Sequence, residues 1–264
     1  NLTLDILTEA GDLVRSFGGG PGAANPPAVR NSVGHVISGP SWGGATPAPI
    51  PSHEVGFHGF VWDTRYPPAT DFVGMRLRGA NADGPQVPPG TYRVRLTVDG
   101  VTQSETFQIL KDPRLTGVSR EDLIAQYELA SAVHARFDET TRAVVRIRRL
   151  KEAVADRLGR TRDGEVTRAG SALAVDLAAV EGDLYEAGAE AQSDLKHFGT
   201  RLANHLSYLK QVVTSADARP TAQSYEVLEE ISSELEVHLA RLEALLAGDL
   251  ERFNALLTAK GLPP

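Results

Sequence analysis

One short motif has the spacing of a catalytic serine. Residues 39–43 read Gly-Pro-Ser-Trp-Gly, which fits the G-x-S-x-G pattern of hydrolases with Ser41 as the nucleophile. That pattern requires a strand before the serine and a helix after it. Residues 45–51 are rich in proline, which removes backbone donors and prevents a helix there. We therefore interpret the motif as a Gly/Pro loop.

Histidines are the next candidates, because imidazole nitrogen is a common metal ligand. His35, His53 and His58 lie in the first quarter of the chain, but their spacing is not that of a compact ligand set. His197 and His205 are eight residues apart on one predicted helix, which places them about two turns from each other. We predict isolated histidines and no metal or other cofactor.

Carboxylates offer an acid/base pair only on weak grounds. Asp63 lies two residues from Arg65 on one face of a predicted strand, and we favour a local ion pair between them over a catalytic acid. Asp71 and Asp83 lie on predicted loops, where nothing fixes the separation that a glycosidase requires. We predict no catalytic residue and a protein that is not an enzyme.

Aromatic residues leave two interpretations open. Trp42, Tyr66 and Phe72 could form a platform on which a sugar ring stacks, as in some sandwich modules. The other interpretation is that these rings cover a core beneath long loops. The leucine stripes further along the chain are typical of helix cores, although one face of a long final helix can also contact another protein.

Composition narrows the class of protein. The 264 residues include 41% hydrophobic and 23% charged side chains, which indicates a globular protein. A net charge of -7 argues against a nucleic-acid partner, and the absence of cysteine excludes disulfides. No apolar run approaches the ~20 residues of a membrane span. The chain starts at Asn1 without an initiator methionine, so we expect a trimmed, C-terminal piece of something longer.

The first 111 residues alternate like strands. Apolar residues alternate at 2–6, 13–17 and 91–98, a weaker strand is predicted at 33–37, and another short one at 72–77. Phe60 and Trp62 share a face of a predicted strand, which makes Trp62 the expected centre of the core. Asp99-Gly100 predicts a two-residue hairpin turn that leads into a return strand. We predict an Ig-like antiparallel β-sandwich over residues 1–111.

After a linker at residues 112–118 the apolar period becomes helical. Ser119 to Asp122 resembles a capping box that opens a long first helix. Three further apolar stripes follow, separated by turns near 161–164 and 217–220, with a third helix over 195–213. We predict an antiparallel four-helix bundle over residues 119–264 and, for the whole chain, an α+β fold of two domains.

The order of several short motifs resembles a known family. The motifs are F-V-W-D-T-R-Y-P at 60–67, G-P at 84–85, P-P-G-T-Y at 88–92, V-D-G at 98–100, K-D-P-R at 111–114, P-T-A-Q-S at 220–224 and G-L-P-P at 261–264. In this order they resemble the C-terminal region of bacterial sortilin-type, BNR-repeat β-propeller proteins, which are exported and often described as glycosyl-hydrolase-like or photosystem-stability-factor-like. The propeller itself is absent, so no propeller activity is implied.

The resemblance implies a FlgD-like immunoglobulin domain followed by helices, in the periplasm or outside a bacterial cell. Our leading hypothesis is a non-catalytic module that binds other proteins, as a scaffold or as an extrinsic structural subunit. The partner would be a β-propeller or a larger, membrane-bound assembly, and a photosynthetic complex is one candidate host. The alternative hypothesis is an accessory or glycan-binding domain of a carbohydrate-active propeller enzyme.

Overall fold

The computed structural model of the chain describes residues 2–19, 48–189 and 194–263. Its four strands form one antiparallel sheet in the order β2-β1-β3-β4. The strands are β1 (Leu2–Thr8), β2 (Leu13–Gly19), β3 (Gly90–Val98) and β4 (Val101–Ile109). Helices follow the sheet in the sequence, so the chain has an α+β fold. The weak strand predicted at 33–37 lies outside the described residues.

The hairpin between β3 and β4 is formed as predicted. Val98 pairs with Val101, and the two residues between them have positive φ angles, 47° at Asp99 and 86° at Gly100. A type I′ turn requires positive φ at both positions, and aspartate and glycine tolerate it best. The turn sets the register of the longest strand pair, which runs from Gly90–Ile109 to Val98–Val101.

The predicted Trp62 strand is wrong, although its aromatic residues do join the core of the sheet. Residues 57–63 have no regular structure, and Thr64 has a φ of 58°, which an extended strand does not allow. The half-buried ring of Trp62 meets the rings of Tyr92 and Phe107 edge-on at 6.4 Å each, and Nε1 donates to the carbonyl of Arg65 at 3.0 Å. Side chains, not a backbone ladder, hold this segment.

The second half consists of helices. They are α1 (Arg120–Gly159), α2 (Gly164–Leu184), α3 (Leu195–Phe198), α4 (Leu202–Val213), α5 (Ala222–Leu245), a π-helical turn (Leu246–Leu250) and α6 (Glu251–Ala259). The capping box at Ser119 and Asp122 is confirmed, because each side chain bonds the backbone N–H of the other. The predicted single helix over 195–213 is wrong. Gly199, with a φ of 79°, separates α3 from α4.

Helix α1 packs against α2 and α4, and α5 packs against the same two helices. Leucine stripes from all four meet in one core, as their period predicts. The largest fully buried side chains that the helices contribute to this core are Phe137, Ile147, Leu177, Leu184, Leu202, Leu206, Leu235, Leu242 and Leu257. The aromatic core of the sheet forms a second, smaller cluster.

An irregular segment, residues 64–87, connects the two cores, and we call it the strap. Four of its apolar residues, Ala69, Met75, Leu77 and Ala82, are buried within the helical core. The short strand predicted at 72–77 is wrong, because a turn at Phe72–Met75 is closed by a 3.0 Å backbone hydrogen bond and Gly74 has a φ of 80°. The strap therefore packs as part of the helical core although it precedes it in the sequence.

Candidate functional site

Several predicted candidates are dispersed. Ser41, Trp42 and His35 lie outside the described residues. His53 and His58 are exposed, and the ring Nε2 of His58 lies 2.8 Å from the carbonyl oxygen of Glu54. In the part of the chain that the structure describes, no group of three His, Asp or Glu side chains could hold a metal ion.

The ion pair predicted between Asp63 and Arg65 is wrong. Asp63 pairs instead with Arg15 of β2, whose Nη1 lies 3.1 Å from Asp63 Oδ1. From Arg65 it accepts the backbone N–H and not the guanidinium. Arg65 extends the other way and donates to the carbonyl of Gly84 at 3.0 Å. The positive φ of Thr64 between them turns the two side chains apart.

Asp71 and Asp83 do not form a carboxylate pair. Asp71 borders a cavity beside His134 on α1. The carboxylate of Asp83 instead lies close enough to Lys210 on α4 to favour the protonated form of the lysine. The two acids sit against different helices, so they cannot flank one substrate bond.

The aromatic residues cover the helices rather than form a common platform. Tyr66 stacks on Tyr127 of α1 with 5.5 Å between ring centroids, and burial raises the pKa of the Tyr66 hydroxyl. Phe72 meets Tyr185 of α2 edge-on at 5.0 Å and lies under the guanidinium of Arg148 at 4.3 Å. Each ring packs at a separate contact between strap and helix.

Side chains of helix α4 donate hydrogen bonds to the backbone of the strap. Ser207 Oγ donates to the carbonyl of Asn81 at 2.6 Å. Lys210 Nζ donates to the same carbonyl at 3.2 Å and also to the carbonyl of Asp83. Burial lowers the pKa of the Lys210 ammonium to about 8, because a charge is costly away from water. The two side chains thus supply donors to backbone carbonyls of an irregular, partly buried segment, which would otherwise lack partners.

A buried carboxylate on α2 binds two cations of α1. Glu181, 3% exposed, lies 2.6 Å from Arg148 Nε and 2.8 Å from Lys151 Nζ. Burial alone would raise the pKa of Glu181, but the two ion pairs together hold it below its usual value. Glu181 pairs with both cations, so this cluster joins α1 to α2. Its carboxylate is not free to act as an acid or a base.

A cavity of about 580 Å³ lies between α1 and residues 66–71 of the strap. Ser131, His134 and Asp138 line it in a row along α1. Asp138 Oδ1 accepts the backbone N–H of Thr70 at 2.7 Å, and Oδ2 pairs with Arg142 Nε at 2.8 Å. Its carboxylate therefore does not orient the imidazole for a serine hydrolase relay.

Burial lowers the pKa of His134 to about 4, and the nearby Lys210 charge acts in the same direction. The ring is neutral at physiological pH and hydrogen-bonds the carbonyl of Pro67. Its Nδ1 and the Oγ of Ser131 are buried without a hydrogen-bond partner among the described residues. The histidine thus serves as another attachment of the strap.

A groove of about 730 Å³ lies between α4 and α5, and residues 78–79 of the strap also line it. We call it the α4/α5 groove. Tyr208 and Val212 of α4 are 54% and 46% exposed, and Val227 of α5 is 38% exposed. Its lining residues are Arg78, Gly79, Thr200, Asn204, His205, Tyr208, Leu209, Val212, Thr221, Gln223, Ser224, Val227 and Ile231. An apolar groove between two helices is a suitable place for a third helix to dock.

Sequence reasoning did not single out this groove, Lys210 or His134. A signal for the groove was present: Tyr208 and Val212 are four residues apart, and they lie beside the core stripe of Leu202, Leu206 and Leu209 rather than on it. The clamping roles of Lys210 and His134 depend on the path of the strap, which has no periodic signal.

No protein family, no curated protein and no solved structure matches this chain in comparisons of sequence and fold. Among the described helices, none combines the length and the apolar character that crossing a membrane demands.

Proposed function

We propose that this chain is a non-catalytic module that binds another protein through the α4/α5 groove. The observation that carries the proposal is the exposure of Tyr208, Val212 and Val227 along one groove between two well-packed helices. Large apolar side chains that line a continuous exposed surface mark interaction sites in soluble proteins. The polar clusters elsewhere support the same conclusion, since their charges are occupied either in attaching the strap or in joining α1 to α2.

We further propose the architecture and setting that the family resemblance implies. Helices α1, α2, α4 and α5 would form a four-helix bundle, which their mutual packing supports. Residues 1–111 would form a FlgD-like, Ig-like sandwich, and Phe60 and Trp62 support this by covering the sheet where a second layer belongs. The chain would be the C-terminal region of an exported sortilin-type protein. Its partner would be a β-propeller or a larger, membrane-bound assembly, with a photosynthetic complex as one host.

The glycan-binding alternative has less support. Tyr66 and Phe72 use their faces against Tyr127, Tyr185 and Arg148, so they do not offer a shared stacking surface. Protein binding is therefore the better supported of the two functions.

Site-specific photo-crosslinking in the cells that make the protein tests this function. A photoreactive amino acid at Val212, in the groove, is compared with one at Val175, which is 68% exposed on α2 and outside the groove. We expect a discrete protein adduct from position 212 and none from position 175. No adduct at position 212, or the same adducts at both positions, would overturn the proposal.

A further inference from the structure

One side of the α4/α5 groove carries a row of negative charge. Glu226, Glu230 and Glu234 are exposed on α5 at intervals of one helical turn. At 100° per residue, Glu230 and Glu234 lie within about 20° of Gln223, which lines the groove. None of the three glutamates forms an ion pair with another described residue. The row is therefore available to a partner.

The opposite side of the groove differs in charge. Helix α4 contributes His205, Tyr208 and Val212, and the strap contributes Arg78 at the end that Asn204 lines. The helix carries no acidic residue between Leu202 and Val213. A ligand that complements this groove has cationic groups along one edge only, the edge that faces α5.

The dimensions and the shape favour a helix as that ligand. Residues 204–212 of α4 and 223–231 of α5 border the groove over about 12 Å, because an α-helix rises 1.5 Å per residue. That length accommodates about two turns of a third helix. Apolar residues at i, i+3 or i+4, and i+7 of such a helix would face Tyr208, Val212 and Val227.

We propose that the occupant of the groove is an amphipathic helix of another protein, with a row of Lys or Arg along the edge that meets Glu226, Glu230 and Glu234. This inference rests on the proposed protein-binding function and specifies its partner. The apolar face supplies burial, and the cationic edge fixes the orientation of the helix through charge complementarity. A helix with a basic row four residues apart matches the spacing of the glutamates.

Two stapled helical peptides of about 16 residues provide the probes, since stapling removes the cost of helix formation. Both carry the same leucine face, and the flank beside it contains lysines in one peptide and glutamates in the other. Fluorescence anisotropy gives the Kd of each peptide for the full chain. We expect the lysine peptide to bind at least about tenfold more tightly at low salt, since three exposed charge pairs contribute.

Point variants of the chain test whether the peptides bind in the α4/α5 groove. Val227→Asp in the groove weakens both peptides more than about tenfold, whereas Val175→Asp, at a 68% exposed position on α2 outside the groove, leaves both unchanged. Glu230→Gln weakens only the lysine peptide, and the neighbouring exposed Glu229→Gln, on the other side of α5, does not. The triple change of Glu226, Glu230 and Glu234 to Gln removes the preference. Circular dichroism of each variant checks that it is folded.

Three other outcomes would contradict the inference. Equal affinity for the two peptides, or lysine-peptide binding that Val227→Asp does not weaken, overturns the basic-edged helix and leaves the crosslinking test of protein binding intact. Failure of both peptides to bind up to millimolar concentration also overturns it. The proposed function fails separately, when position 212 gives no adduct.

Discussion

Asn204 on α4 binds Arg78 of the strap through both backbone groups of that residue. Its Oδ1 accepts the N–H of Arg78, and its Nδ2 donates to the Arg78 carbonyl at 3.4 Å. One buried side-chain amide thus replaces the rung of a β-ladder, which the irregular strap cannot form with a strand. Because Arg78 and Asn204 both line the α4/α5 groove, this pair also sets the position of the groove end.

The change Asn204→Ala removes both of those hydrogen bonds at once. We expect the free energy of unfolding to fall by about 1–3 kcal/mol, because two part-buried hydrogen bonds to the backbone of Arg78 are lost. Urea denaturation followed by circular dichroism measures the change. Asn254→Ala, at a half-buried position on α6, is the control and should cost less than about 0.5 kcal/mol. Equal losses in the two variants would contradict the clamping role of Asn204.

Two glycines of α2 predict opposite effects of the same substitution. A Cβ at Gly170 would lie 2.8 Å from Leu158 Cδ2 and 2.9 Å from Phe253 Cε2, so Gly170→Ala forces the core apart and should destabilise by about 1–3 kcal/mol. A Cβ at Gly182 meets no atom within 4 Å, so Gly182→Ala should stabilise by about 0.5–1 kcal/mol. Thermal unfolding compares the two variants. A shift of the same sign in both would refute the packing of α6 against α2.

The buried Lys210 predicts how stability changes in alkaline solution. Because burial lowers its pKa from 10.5 to about 8, the unfolded chain binds a proton between these values that the native chain does not. Stability relative to Lys210→Met should therefore rise by about 1–3 kcal/mol from pH 8 to pH 10.5. Lys260→Met is the control with the opposite sign, since ion pairs with Asp163 and Glu165 raise the pKa of Lys260. A parallel pH profile for wild type and Lys210→Met would refute the burial of that ammonium.

Periodic and local signals in the sequence predicted the elements that depend on them. The turn at Asp99-Gly100 follows from the φ angles that these residues tolerate, and the capping box at Ser119 follows from hydrogen bonds between near neighbours. The leucine stripes predicted the long helices for the same reason. These features involve residues close together in the chain, so their pattern can be read directly.

The strap could not be predicted in this way. Its polar backbone groups bond to side chains more than 60 residues away, such as Asp138 for Thr70 and Asn204 for Arg78. Trp62 belongs to the core through its ring and its Nε1 donor, while its alternation with neighbours suggested a strand. Long-range side-chain contacts have no period, and the groove that the strap borders was missed with them.

The buried His134 predicts a loss of stability in mild acid. Burial, reinforced by the charge of Lys210, lowers the pKa of His134 from 6.5 to about 4. Between these values the imidazole is protonated in the unfolded chain but not in the native chain. Stability therefore decreases as the pH falls from 6.5 towards 4. The wild type should lose about 1–3 kcal/mol more than His134→Gln across this window, measured by urea denaturation.

The matched control for that experiment is His58→Gln, because His58 is exposed. Its profile should follow the wild type, while His134→Gln should have a shallower acid limb. Carboxylates such as Glu181 contribute to acid unfolding in all three proteins, so the difference between variants isolates the imidazole. Hydrogen exchange at Thr70, whose amide bonds Asp138 in the same cavity, should accelerate first if protonation of His134 releases the strap. Identical acid profiles for wild type and His134→Gln would mean that the ring is already solvated and does not hold the strap on α1.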